Sequence, residues 1–143
     1  THFNKSNTLK LKNLSIMSGT NSKHVASLEL EFKGELKEVS GSGNGPIDAI
    51  FNALKALIPN KTNLIVYQVN AITKGTDAQA EVNVRLEEKS ISVQGQGSDI
   101  DTMVASAKAY INAMNKLILK RKRADDSKSV FQTSNEKLNK HVI

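Results

Sequence analysis

The 143-residue sequence has no cysteine, no tryptophan and only two prolines. Without cysteine, neither a disulfide framework nor a thiolate zinc site can form, and the lack fits a reducing compartment. Aromatic residues make up 4% of the chain, so a core has to be assembled from Ile, Leu, Val and Ala within an apolar fraction of 38%. No apolar run approaches the ~18 residues of a membrane span, and the opening THFNKSNTLKLK lacks the apolar segment of a signal peptide. Histidine is scarce as well: His2, His24 and His141 share no metal-ligand spacing. There is no G-x-S-x-G serine and no pair of acids among apolar neighbours. These absences predict no catalytic residue and no metal site, and point to one soluble, cytoplasmic domain with no membrane contact.

Charge is present, but unevenly. The net charge is +6 and the sequence pI about 9.6. From residue 120 onward, seven Lys/Arg stand against three Asp/Glu, whereas the first 119 residues carry 13 against 11. The excess therefore sits in the tail KRKRADDSKSVFQTSNEKLNKHVI. No aromatic side chains interleave with KRKR, as single-strand stacking requires. A nucleic-acid-binding module is the alternative reading from another class, and the sequence disfavours it. A domain over 1–123 with a polar, loosely attached tail over 124–143 is expected.

Glycine, at eight residues, is placed by a repeat. VSGSGNGPIDAIFNALKALI at 39–58 matches VQGQGSDIDTMVASAKAYINAMNKLI at 93–118, with Val39, Gly41 and Gly43 falling on Val93, Gly95 and Gly97 at a shift of 54. The same shift carries Ala26, Leu28, Leu30 and Phe32 onto Ala80, Val82, Val84 and Leu86. Each copy, about 8–58 and 63–118, reads as three strands and a helix. TLKLKNLSIMS and NLIVYQVNAIT open the units; HVASLELEF and AQAEVNVRL alternate apolar and polar residues, the period of a half-buried strand; GELKEVSGSG and EKSISVQGQG run into the glycines. Pro46 suits a first helical turn behind Asn44 or Gly45 as cap, and Ser98 is the candidate cap of the second helix. Asp99 and Asp101 stand near that helix start, where acids are favoured by the macrodipole. Pro59 and the following Asn-Lys end the first unit. Ala105, Ala107, Ala109 and Ala113 make the second helix slim, and an exposed alanine-rich face over 105–113 would invite a partner. The fold class expected is α+β, duplicated βββα units, (βββα)2, with two small sheets packed with two helices.

Neither glycine stretch is a P-loop, because the phosphate-reaching lysine is missing. Two readings remain open. The glycines let a strand bend and its helix pack close, or the helix-start loops Gly43, Asn44, Gly45 and Gly95, Gly97 expose N–H groups to a small carboxylate.

GNGPIDAIFNAL, then Y-x-x-x-A-x-T-x-G-x-D-A-x-A at 67–80, then GQGSDIDTMVASAKAYINAMN resemble the C-terminal regulatory domain of 2-isopropylmalate synthase over about residues 8–118; citramalate synthases carry a similar domain. The resemblance implies a leucine-binding (or isoleucine-binding) feedback sensor, paired as a homodimer with the effector near the interface. It also implies an absent catalytic barrel on the same polypeptide, which condenses acetyl-CoA with a 2-oxo acid on a divalent metal; no cofactor is expected in this part. The family's effector pocket falls on Ile47, Asp48, Leu64, Tyr67, Ala71, Ala78, Ser98 and Asp99. Tyr67 and Ala71 share a strand face with Ile65 and Val69 beside them, and Leu64 needs a bulge or an end position to join them. A buried Tyr67 hydroxyl needs a partner.

Overall fold

The computed structural model describes residues 8–57, 62–75 and 77–141, without side-chain detail at 74, 77 and beyond 121. His2 and the unit boundary at Pro59–Lys61 lie outside the described residues. The chain runs β1 (Lys10–Met17), β2 (His24–Phe32), β3 (Glu35–Gly43), α1 (Pro46–Lys55), β4 (Asn63–Lys74), β5 (Asp77–Glu88), β6 (Ile91–Asp99) and α2 (Thr102–His141). Two antiparallel three-stranded sheets form in chain order, β1-β2-β3 and β4-β5-β6. The duplicated (βββα)2 architecture is therefore present.

Short hairpins set the register. Phe32 pairs with Glu35, and Lys33 and Gly34 between them take φ of 54° and 78°, the paired left-handed turn that matches strand twist. Alternation then places Ala26, Leu28 and Leu30 of β2, and Val82, Val84 and Leu86 of β5, on the buried faces. Helix α1 lies across β2 and β3, α2 across β5 and β6, and the helices touch each other. Ile50, Leu54, Met114 and Leu117 close the common core.

The glycines are the seats of the helices. A methyl group on Gly97 would fall 2.5 Å from the Ala105 carbonyl oxygen and 2.6 Å from Ala109 N; one on Gly95 would run into Ala109 O and Ala113 N. Gly41 and Gly43 lie in the same way against Ala49, Ala53 and Asp48. Gly95 and Gly97 are thus strand residues beneath the body of α2, not a loop at its start. The alanine-rich face of 105–113 is correspondingly not open to a partner: Ala105, Ala107, Ala109 and Ala113 are fully buried within the chain. Small residues on both sides let helix and strand backbones approach, and that contact uses the face.

The start of α1 is as expected, and that of α2 differs. Strand β6 continues through Ser98 to Asp99, and Asp101 is the cap of α2, its Oδ1 accepting the Met103 N–H at 2.8 Å. Asp99 Oδ1 accepts the Asp101 N–H at 3.0 Å, which turns the chain from strand to helix. Helix α1 is capped by Gly45 with no side-chain bond, Pro46 following in the first turn. Helix α2 continues to His141, so the backbone of the polar tail is helical well past residue 123. Val130, Phe131 and Leu138 of that tail lie outside the described side chains.

Candidate functional site

Strand β4 is the outer strand of the second sheet, and the helices leave it largely uncovered. Leu64, Ile65, Val66, Tyr67 and Val69 are 37–50% exposed, an unusual density of apolar surface on an edge strand. A register shift between Leu64 and Val66 marks a bulge at Ile65. It puts Leu64 opposite Leu86, Tyr67 opposite Val84 and Val69 opposite Val82, so all three share the helix-side face. The bulge that Leu64 required is present, and it also takes Ile65 out of the regular alternation.

Tyr67 is the best-fixed member of this face. Its ring meets Phe51 of α1 edge-on, with centroids 5.5 Å apart, and Phe51 in turn lies 4.7 Å from Tyr110 of α2. Burial pushes the Tyr110 phenol up to about 12. The Tyr67 hydroxyl is 2.8 Å from Ser106 Oγ, and Ser106, fully buried, donates to the Thr102 carbonyl at 2.7 Å. One tyrosine thus joins the sheet and both helices.

The remaining residues fall around it. Ala71 is four residues on along β4, exposed, and opposite Ala80, which is opposite Asp99 on β6; these three make a row across one face. Ala78 pairs with Thr73 on that face. Asp99 is held by the Asp101 N–H and, at 3.0 Å, by Lys108. The Asp101 N–H first and Lys108 second hold its carboxyl below the ordinary 3.8, against a smaller effect of burial. Ile47 stands one turn before Phe51 on α1, half-buried, and so shares the helix face that meets Tyr67. Asp48 is exposed, and its Oδ2 accepts the Asn44 N–H at 3.3 Å. Ser98 is not brought to this group: it pairs with Glu81 and lies exposed on the opposite side of the sheet.

The two helix starts are unequal as anion receivers. At α2 the Asp101 carboxylate already occupies the first-turn N–H position. At α1, Gly45 has open space around it. Sequence reasoning missed Phe51, Ser106 and Tyr110. Phe51 and Tyr110 each carry a helical-periodicity signal, but a lone serine on an alanine-rich helix carries none.

Among the described residues no three His, Asp or Glu stand close enough to hold a metal ion, and no helix is long and apolar enough to cross a membrane.

Comparison with known proteins follows the same span. The profile of the LeuA allosteric (dimerisation) domain family matches residues 1–118. The chain is 50% identical over 115 residues to a 2-isopropylmalate synthase of Rhodopseudomonas palustris (strain BisA53), covering 80% of this chain and 22% of that protein. It is 49% identical over 115 residues to the 2-isopropylmalate synthase of Bradyrhizobium sp. (strain BTAi1 / ATCC BAA-1182), with the same coverage. The chain thus spans about a fifth (22%) of the length of these curated relatives.

Proposed function

The chain belongs to the LeuA allosteric (dimerisation) domain family, and from that premise we propose that it is the leucine-sensing regulatory domain of a 2-isopropylmalate synthase. Leucine binds on the helix-side face of β4, among Leu64, Tyr67, Ala71 and Ala78, with Ile47 and Asp48 of α1 and Asp99 at its margins. Occupancy inhibits condensation of acetyl-CoA with a 2-oxo acid in a catalytic barrel of the same polypeptide. The divalent metal of that chemistry belongs to the barrel, and no step is assigned to residues of this chain.

The observation that carries this reading is Tyr67: half-exposed, fixed at its hydroxyl and against Phe51, within an uncovered apolar strand face. Apolar surface of that kind suits both an aliphatic side chain and a second copy of the domain, so the effector site and the dimer contact adjoin. The polar tail beyond Arg123 takes no part. The last described anchor of α2 is Arg121, which pairs with the buried Glu88 through Nε at 2.6 Å.

Calorimetry with leucine, isoleucine and valine tests the proposal, with leucine expected to bind most tightly. Tighter binding of isoleucine moves the assignment to a citramalate synthase, and binding of none of the three refutes it. Light scattering is expected to give about twice the 15.6 kDa chain mass.

A further inference from the structure

The hydrogen bonds around Ser106 fix the direction of a proton, and the direction says what Tyr67 can recognise. A serine hydroxyl carries one proton and two acceptor lone pairs. The Thr102 carbonyl can only accept, so at 2.7 Å the Ser106 proton points there. The 2.8 Å contact between Tyr67 Oη and Ser106 Oγ needs a proton as well, and only the phenol has one left to give. Tyr67 therefore donates to Ser106, Ser106 to Thr102, and the phenolic oxygen has only lone pairs left to offer a ligand. Ser106 is fully buried, so water does not compete for its hydroxyl, whereas Tyr67 as a residue keeps 37% exposure on the uncovered strand.

We infer that Tyr67 reads a hydrogen-bond donor, the α-ammonium of the effector, and that Ser106 is the positioning residue that makes it an acceptor. The inference rests on the proposed leucine reading and adds a selectivity to it. The 2-oxo acid with the leucine side chain matches leucine in shape but has a carbonyl in place of the ammonium. Against Tyr67 it sets acceptor to acceptor, and a site built to hydrogen-bond one group rejects the analogue that lacks it. A sensor so arranged responds to an amino acid and ignores the corresponding oxo acid, which is the class of compound its parent enzyme consumes.

Calorimetry of the intact chain with leucine and with 4-methyl-2-oxopentanoate, on wild type and on Ser106→Ala, Ser106→Thr and Tyr67→Phe, tests this. Wild type is expected to favour leucine by about 100-fold or more. Tyr67→Phe and Ser106→Ala should each reduce that ratio by about 10-fold, the latter because the freed phenol proton turns toward the ligand. Ser106→Thr, which keeps the hydroxyl, should restore it. In the ligand-free protein, the Tyr67 hydroxyl proton should be visible by NMR and lost in Ser106→Ala. An unchanged ratio in Ser106→Ala, with Tyr67→Phe reduced, overturns the positioning role. An unchanged ratio in Tyr67→Phe overturns the ammonium assignment. Failure of wild type to bind leucine removes the functional reading itself, while the hydroxyl signal still reports the direction of the relay; its presence in Ser106→Ala overturns that direction.

Discussion

In the first unit the outer strand is closed at its start. Leu9, just before β1, is 7% exposed; its N–H donates to Asn115 Oδ1 at 2.8 Å, and Asn115 Nδ2 donates to its carbonyl at 3.0 Å. The α2 side chain thus acts as one residue of a missing neighbouring strand. In the second unit the outer strand is open, with Leu64 at 43% exposure. The two strands meet equivalent partners: Leu11 and Tyr67 face Leu30 and Val84, and Ile16 and Ala71 face Ala26 and Ala80, related by the shift of 54. Their bulges fall at different places, between Leu11 and Asn13 and between Leu64 and Val66. A duplicated fold has tied down the start of one outer strand and left the apolar face of the other uncovered.

The helices diverge in the same sense. Gly41 lies under Ala49 and Ala53, and Gly95 under Ala109 and Ala113. The helix shift is therefore 60, not the 54 of the strands. The residue that matches Pro46, the first of α1, is Ser106, and α2 begins four residues earlier, at Thr102. That additional turn supplies Thr102, whose carbonyl accepts from the Ser106 that meets Tyr67. The asparagine that follows the seat is common to both units: Asn52 Nδ2 donates to the Ser42 carbonyl at 2.8 Å and Asn112 Nδ2 to that of Gln96 at 2.6 Å, each tying down the free edge of its third strand.

The strongest way to break the likeness is to unseat a helix. Gly95→Ala should lower stability by about 3 kcal/mol, because the added methyl meets helix backbone that has no rotamer to change; Gly45→Ala, with nothing around it, should cost under about 1 kcal/mol as the loss of a favourable cap. Denaturant titrations of the two variants compare them.

Ala71→Ile gives the open strand the residue of the closed one. Leucine binding should weaken by about 1–3 kcal/mol, with isoleucine affected less, since γ-branched and β-branched side chains differ only in where they need room. Ala71 is exposed on an edge strand and lies beneath no helix, so the melting temperature should change little; a large fall would show that the substitution acts through folding.

Asn115→Ala should open the first unit's edge. It leaves the N–H and carbonyl of the buried Leu9 without these partners, an expected loss of about 1–2 kcal/mol. Asn52→Ala and Asn112→Ala, at exposed sites, should each lose about 0.5 kcal/mol or less. Equal losses at all three would remove the distinction drawn between closed and open edges.

The smallest effect concerns acid. Asp99 has its carboxyl pKa depressed in the fold, so its contribution is fully present above the ordinary value of 3.8 and is lost as pH falls through the lower folded value. The position related to it by the shift of 54 is Gly45, which has no carboxyl to titrate. Asp99→Asn should accordingly flatten the decline in stability below about pH 4, as read by thermal melts across that range.

The duplication, the order of strands and helices, and the inward faces of β2 and β5 were legible because each rests on local periodicity. Leu28 with Leu30 and Val82 with Val84 announce their face whatever else the chain does. Tyr67 and the bulge for Leu64 were legible once the motif was matched. Ser98 was misplaced as a cap because the sequence offers Ser98, Asp99 and Asp101 as three capping side chains within four residues. Which of them caps depends on how far β5 holds β6 in register, and the pairing of Ala80 with Asp99 carries the strand past Ser98.

What the sequence determined by itself is the repeat and its alternation, since strand faces and turn positions follow from the order of side chains along a few residues. The tertiary structure alone decided that the glycines seat helices and that the alanine face is used internally. It also decided that one edge is closed by Asn115, and that a buried serine sets the direction of Tyr67's proton. Each of these depends on two segments distant in sequence coming within hydrogen-bond or van der Waals reach. Residue 9 has no way of signalling residue 115, nor residue 67 residue 106, until the core has brought them together.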